Sequence, residues 1–254
     1  MQLLLRPIQI LYTIYAFVVF LVFMFLLFPL IVVASFFGNE QGGNAIYIIC
    51  RFWADACLLL WGIRHSNHFE ALHDSSKPSI IVFNHISYMD IPILMSAFRY
   101  QHVRVLGKIE MTSIPIFGFI YKNVVVTVDR SDVRHRAKSV NVLKSVLKKN
   151  ISVVIAPEGT FNTTHHPLKQ FYDGAFKIAI ETQTPIKPVL FLDAYDRLHY
   201  KSIFSLTPGK SRAIYLKEIA VNGYETKDTG LLKQKVFEVM EAGLKQYKAS
   251  WIKK

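Results

Sequence analysis

This sequence of 254 residues predicts an α/β fold, with a mostly buried sheet flanked by helices and preceded by an N-terminal membrane helical hairpin. Two observations predict it. After residue 63, short runs rich in β-branched residues alternate with segments of helical periodicity, which is typical of a sheet covered by helices. Before residue 63 the chain is almost entirely apolar. We therefore assign residues 1–63 to a membrane-anchoring helical pair and residues 64–254 to a single domain.

The N-terminal segment is long enough to cross a bilayer. No charged residue occurs between Pro7 and Asn39, and about 20 apolar residues suffice to span a hydrocarbon core. A signal peptide has a shorter apolar region of about 7–15 residues, which disfavours that alternative. A second apolar segment, 45–63, follows a polar, glycine-rich turn. The sequence leaves open whether this second segment returns across the membrane or lies along its surface.

The charge distribution predicts both a partner and an orientation. The formal net charge is +12, which suits either nucleic acid or an anionic membrane. No nucleic-acid-binding motif is present, so the lipid bilayer is the expected partner and nucleic acid is not. The turn at 38–43 has no Lys or Arg, whereas Arg64 and Lys77 follow the second apolar segment. By the positive-inside rule, the domain after residue 63 faces the cytoplasm.

The elements of that domain follow from the apolar pattern. Strands are predicted at 79–84, 103–107, 124–128, 152–156, 186–192 and 212–219. Helices are predicted at 89–98, 115–122, 132–149, 174–182 and 230–251. The two cysteines, Cys50 and Cys57, have no metal-ligand spacing and are expected to be packing residues, so no metal site is predicted.

A His-x-x-x-x-Asp motif, His85 to Asp90, follows the first predicted strand of the domain. On a continuous helix a five-residue step would separate the two side chains by about 140°, so they meet only if the chain bends between them. A strand end, a loop and a helix start provide that bend. The Asp90 carboxylate would then fix one imidazole nitrogen and leave the other free as a base. The alternative interpretation is a loop histidine whose hydrogen bonds serve only to hold the loop.

Further motifs follow in order. They are Lys108-x-Glu110 with Pro115 and Gly118, then Val126 to Arg130, and then the run Ala156-Pro157-Glu158-Gly159-Thr160. With these residues in this order and spacing, the chain from about Pro78 to Val189 resembles the glycerolipid acyltransferase family, typified by 1-acyl-sn-glycerol-3-phosphate acyltransferase. The resemblance implies a single glycerolipid-acyltransferase-like domain on a membrane-embedded helical pair, with its active site at the bilayer surface.

The resemblance also implies a reaction. A fatty acyl chain would pass from acyl-CoA or acyl-carrier protein to the sn-2 hydroxyl of 1-acylglycerol 3-phosphate, forming phosphatidate. His85 would be the general base and Asp90 its orienting carboxylate. Because the hydroxyl attacks the thioester directly, no acyl-enzyme intermediate is expected. No cofactor beyond the acyl donor is expected either.

The acceptor site is likewise assigned by resemblance. Arg130 and Lys108 would bind the phosphate, while Glu158, Gly159 and Thr160 would lie beside the headgroup. A pair between Arg130 and Asp129 or Asp132 is the alternative for that arginine.

Departures from the family pattern leave the headgroup open. Phe161 stands where the family usually has Arg or another polar residue, and Asp173 stands where a cation is common. Both would lower the positive charge of the acceptor pocket, although Lys169 could compensate. A lyso-aminolipid O-acyltransferase, acting for example on a lyso-ornithine or lyso-glycine lipid, is therefore the alternative enzyme. The non-enzyme alternative is a lipid-binding membrane protein on the same fold. A serine hydrolase is disfavoured, since the sequence has no Gly-x-Ser-x-Gly elbow.

Overall fold

The computed structural model describes the backbone of residues 2–252 and the side chains of residues 6–252. Its helices are α1 (Gln2–Ser35), α2 (Gly43–Leu60), α3 (Asp90–Ala97), α4 (Phe117–Val124), α5 (Val133–Lys148), α6 (Gly174–Thr182), α7 (Ala194–Arg197) and α8 (Thr229–Gln246). Its strands are β1 (Ile63–Phe69), β2 (Ile80–Phe83), β3 (Val103–Lys108), β4 (Val125–Val128), β5 (Ser152–Ile155), β6 (Ile186–Phe191) and β7 (Gly209–Tyr215). The predicted α/β class is confirmed.

The strands form one sheet in the order β1-β7-β6-β2-β5-β3-β4. Strands β6, β2, β5, β3 and β4 are mutually parallel, whereas β7 runs antiparallel to β6 and pairs in parallel with β1. Every residue of β2, β5 and β6 is buried, as expected for parallel strands covered on both faces. Helices α2, α3 and α4 pack together on one face, and α5, α6 and α8 pack together on the other.

Strand β1 is absent from the sequence prediction. It is an edge strand whose residues are mostly partly or fully exposed, and its polar side chains hide the apolar pattern that marks the central strands. Two predicted boundaries shift by four residues or more, and the others by at most three. The last strand ends at Tyr215, because the chain beyond it returns to β6 only through a single bridge between Ile219 and Ile186. The last helix ends at Gln246, before a left-handed Lys248.

Helices α1 and α2 form the predicted helical pair. Both are long and apolar enough to cross a membrane, over Arg6–Ser35 and Gly38–Leu60. Helix α1 packs on α2 and also contacts α4, while its other side exposes a row of large apolar residues: Leu11, Phe17, Val18, Val22, Phe25, Leu26, Leu30 and Val33.

The turn between α1 and α2 contacts the domain itself. The guanidinium of Arg104, in β3, donates hydrogen bonds to the carbonyls of Asn39 and Glu40, both at 3.3 Å. The ammonium of Lys149, at the end of α5, pairs with the Glu40 carboxylate at 2.8 Å. Since α2 leads directly from its other end into β1, both ends of α2 lie against the sheet-containing domain.

Candidate active site

The predicted site residues lie at the carboxyl edge of the parallel strands. His85 follows β2, Lys108 ends β3, Arg130 follows β4 and Glu158 follows β5. Because parallel strands present their carboxyl ends at the same edge, residues distant in sequence meet there. A cavity of about 630 Å³ opens at this edge, and all of the predicted site residues except Glu158 line it.

His85 and Asp90 form the predicted pair. The Nδ1 atom of His85 lies 2.7 Å from Oδ2 of Asp90, the first residue of α3. The same oxygen accepts the backbone N–H groups of Ile86 (2.8 Å) and Ser87 (3.0 Å). In the part of the chain that the structure describes, Nε2 of His85 has no hydrogen-bond partner. The bend expected between the two residues is therefore present, and the free nitrogen belongs to a side chain that lines the cavity.

Two buried asparagines, which the sequence analysis did not single out, hold the His85 loop. Asn84 donates from Nδ2 to the Phe191 carbonyl (3.1 Å) and accepts the Phe191 N–H at Oδ1 (2.8 Å), so it ties the end of β2 to β6. The backbone N–H of Asn162 donates to the His85 carbonyl at 2.7 Å. The available signal for Asn84 was a polar residue placed directly after a fully apolar strand and before the histidine.

Glu158 does not face the cavity. Its Oε1 accepts the backbone N–H of His85 and its Oε2 accepts that of Lys169, both at 2.9 Å. The residue is 2% exposed. Burial raises the pKa of the Glu158 carboxyl to about 7, although the two backbone donors oppose the shift. The structure therefore gives Glu158 the position of an anchor that joins two loops, rather than the predicted position beside a headgroup.

Arg130 lies on the cavity together with the predicted Gly159 and Thr160. Its guanidinium donates to the Gly159 carbonyl. The alternative pairing with acids is not observed: Asp129 accepts from Ser131 (2.9 Å and 2.6 Å) and Asp132 caps α5.

Lys169 adds a further cation to this end of the cavity. Its ammonium donates to the Thr160 hydroxyl at 2.6 Å. With Lys108 and Arg130 it makes three basic side chains on the lining, whereas Asp90 is the one carboxylate among the described lining residues. This arrangement attracts an anion.

The two departures from the family pattern lie in different places. The Phe161 ring lies edge-on to the His85 imidazole, with centroids 4.5 Å apart, and to the Tyr88 ring at 4.8 Å. Asp173 instead pairs with Lys233 of α8 at 2.7 Å and is absent from the cavity lining. The expectation that Asp173 lowers the charge of the pocket is wrong, because a lysine 60 residues away neutralises it outside the cavity.

The rest of the cavity is apolar. Between α2, α3 and α4 it is lined by residues that include Cys50, Trp53, Cys57, Leu94, Met95, Ile120 and Val124. A cavity that is cationic at one end and apolar at the other, with His85 on its wall, fits an amphiphile with an anionic headgroup.

Comparisons with known proteins identify the family. The family model described as Acyltransferase matches residues 62–192. A chloroplastic 1-acyl-sn-glycerol-3-phosphate acyltransferase of Brassica napus is 29% identical over 68% of this chain and 50% of its own length. The 1-acyl-sn-glycerol-3-phosphate acyltransferase of Cocos nucifera is 32% identical over 52% of this chain and 43% of its own. The chain thus spans about half the length of these relatives.

A solved structure shares the fold. The crystal structure of PlsC, the 1-acyl-sn-glycerophosphate acyltransferase of Thermotoga maritima, superposes with a TM-score of 0.75 and 22% sequence identity. The match covers 98% of this chain and 100% of that one. The likeness includes the N-terminal helices as well as the sheet.

Proposed function

The chain belongs to the acyltransferase family, and we propose that it transfers a fatty acyl chain from acyl-CoA or acyl-carrier protein to the sn-2 hydroxyl of 1-acylglycerol 3-phosphate, forming phosphatidate. One observation carries the proposal. The imidazole of His85 is held by Asp90 at 2.7 Å and lines a cavity that is cationic at one end and apolar at the other. A base is needed in that position to acylate a lysolipid, and a protein that only binds lipid has no use for one.

The chemistry proceeds by direct attack. Nε2 of His85 takes the proton of the acceptor hydroxyl while its oxygen bonds to the thioester carbonyl carbon. Asp90 stabilises the imidazolium that results. The tetrahedral intermediate then loses the thiolate by cleavage of the C–S bond, and the imidazolium returns its proton to the departing sulfur. The products are the new ester and the free thiol of the donor.

No nucleophilic serine takes part in this route. The hydroxyl nearest to His85 in sequence, that of Ser87, donates to the Leu198 carbonyl and accepts the Met89 N–H at 3.0 Å. It is therefore committed to holding the loop. This arrangement supports transfer without an acyl-enzyme intermediate and disfavours a serine hydrolase.

The charge of the cavity favours a phosphate headgroup over an aminolipid. Lys108, Arg130 and Lys169 line it, and the planar fork of an arginine matches phosphate geometry. A lyso-ornithine lipid would bring the positive charge of its free amine to this end, where the lining offers only the Asp90 carboxylate. That carboxylate is already occupied by His85 and two backbone N–H groups. A lyso-glycine lipid has no free amine, but its carboxylate lacks the second negative charge that a phosphate monoester can carry.

The helical pair supports attachment to one side of a membrane. Because the turn at 38–42 contacts Arg104 and Lys149, α2 cannot carry the chain to the far side of a bilayer about 30 Å thick. The exposed apolar side of α1 would then lie within one leaflet. The positive-inside rule assigns this leaflet to the cytoplasmic face.

An acceptor panel tests the proposal. Purified protein is given labelled acyl-CoA or acyl-carrier protein together with lysophosphatidate, lysophosphatidylcholine or a lyso-aminolipid. Acylation of lysophosphatidate, with weak or no transfer to the other two acceptors, is the expected result. Transfer to the aminolipid alone would support the alternative enzyme, and no transfer to any acceptor would leave the lipid-binding protein as the better account.

A further inference from the structure

The loop between α7 and β7, residues 198–208, exposes two adjacent large apolar side chains. Ile203 is 61% exposed and Phe204 is 46% exposed. Lys201 and Lys210, on either side of the pair, are also exposed. Adjacent apolar residues at the tip of a basic loop are typical of a segment that enters a membrane interface.

One side of the loop is attached to the rim of the candidate active site. The hydroxyl of Ser87 donates to the Leu198 carbonyl, and the hydroxyl of Tyr200 donates to the Thr163 carbonyl at 3.1 Å. Both Ser87 and Thr163 line the cavity. The position of the loop is therefore coupled to the segment that carries His85.

The other side of the loop is attached to α1. Nε2 of Gln9 donates to the Ser205 carbonyl at 3.2 Å. The apolar tip of the loop thus lies beside the N-terminal half of the helix whose exposed side is itself apolar. The contact between Gln9 and Ser205 holds the two apolar surfaces near each other, which favours one shared lipid partner over a separate protein partner.

The charges around the tip suit anionic lipid. Lys210 pairs in register with Arg64 of β1, and both side chains are exposed. Arg6, one turn before Gln9 on α1, is exposed as well. Asp196 is the one acid between residues 194 and 210. Each basic side chain near an anionic surface adds to the electrostatic attraction.

We propose that loop 198–208 is a second membrane-contact element, which inserts Ile203 and Phe204 into the interface of an anionic bilayer while Lys201 and Lys210 bind lipid phosphates. The loop then holds the rim of the cavity at the bilayer surface, where a lysolipid can enter without crossing water. This inference rests on the proposed membrane placement of α1.

A fluorescent reporter tests the insertion directly. Phe204→Cys is labelled with a polarity-sensitive dye and the protein is mixed with vesicles of phosphatidylcholine and phosphatidylglycerol. The matched control is Leu231→Cys, a 64%-exposed position on α8, which covers the opposite face of the sheet. Cys50 and Cys57 are buried. The unsubstituted protein, treated with the same dye, serves as the control for any labelling of these two cysteines. We expect a blue shift and quenching by nitroxide-bearing lipids at position 204, but neither at position 231.

The outcomes separate this inference from the membrane placement on which it rests. If the protein floats with the vesicles but the dye at position 204 emits at the wavelength that it shows without vesicles, the loop proposal alone is overturned. Protein that does not float would overturn the membrane placement as well.

An activity measurement provides a second readout on the same loop. Ile203→Ser with Phe204→Ser should raise the KM for vesicle-borne lysolipid several-fold and leave that for lysolipid dispersed in detergent unchanged. Equal effects on both substrates would contradict the proposal.

Discussion

The backbone N–H of His85 donates to the carboxylate of Glu158 at 2.9 Å, so a residue after β5 fixes the position of the residue after β2. The second carboxylate oxygen accepts the Lys169 N–H in the same way. One buried side chain thereby holds together the segment with the proposed base and a segment with a cation of the proposed acceptor site. Replacement of Glu158 should therefore disturb the position of both segments.

Stability should report the ionisation of Glu158. Because burial raises its folded pKa to about 7, the folded state holds this proton at pH values where the unfolded chain, with a pKa near 4.5, has lost it. This carboxyl therefore makes the free energy of unfolding fall as pH rises from about 4.5 to about 7, by an amount on the order of 3 kcal/mol. The free energy of unfolding, measured with denaturant at pH 5, 6 and 7, should fall with rising pH in the wild type. The Glu158→Gln variant should not show this fall. If the free energies of unfolding of the wild type and of Glu158→Gln changed with pH in parallel, Glu158 would ionise normally in the folded protein.

Arg130→Ala should affect the acceptor more than the donor. A hydrogen bond to a charged group contributes about 1.5–3 kcal/mol, so the KM for lysophosphatidate should rise about 10- to 100-fold while that for acyl-CoA changes little. Arg134→Ala is the matched control, because Arg134 is exposed on α5 and lies off the described cavity lining. Equal changes in both KM values would contradict the role of Arg130 at the phosphate.

Gly159→Ala should cost stability for two separable reasons. Gly159 has φ +72°, which costs a residue with a Cβ about 1–2 kcal/mol. An added Cβ would also meet the Tyr172 ring at 2.7 Å. Adding Tyr172→Ala should recover part of the loss in melting temperature, since it removes the clash but leaves the backbone cost. Gly230→Ala, with nothing within 4 Å, is the control and should be neutral. Failure of the double variant to recover would mean that the clash does not occur.

Side-specific labelling should test the placement of α2. Asn39 is exposed in the turn between α1 and α2, and we expect Asn39→Cys to react with a membrane-impermeant maleimide from the same side as Leu231→Cys in the domain. The measurement compares the labelling of each cysteine in intact cells with its labelling in inside-out vesicles. Reaction of the two positions from opposite sides would show that the turn crosses the bilayer.

The sequence predicted the central strands because each is dominated by apolar residues, but it did not predict β1. That strand has five consecutive polar residues between Ile63 and Phe69 and lies at the sheet edge, so its pairing depends on β7, which lies about 145 residues further along the chain. The His85–Asp90 pair was predictable because the two residues are only five positions apart, across the short loop between β2 and α3, where local geometry decides whether they meet.

The position of Glu158 was not predictable, because its partners are backbone N–H groups of two distant loops, and a sequence shows no backbone partners. The same holds for Asp173, whose charge is neutralised by Lys233 on a helix 60 residues away. Phe161 was noticed as a departure, but its contact with the His85 ring depends on how the loops after β2 and β5 converge.

The central claim is that His85 is the general base, and the turnover number of His85→Ala with lysophosphatidate and acyl-CoA tests it most directly. A positioned base contributes about 10²- to 10⁴-fold to the rate. We therefore expect a loss of that size in a variant whose melting temperature and acceptor KM stay close to those of the wild type. Near-normal turnover in such a folded variant would contradict the mechanism, whatever the identity of the acceptor.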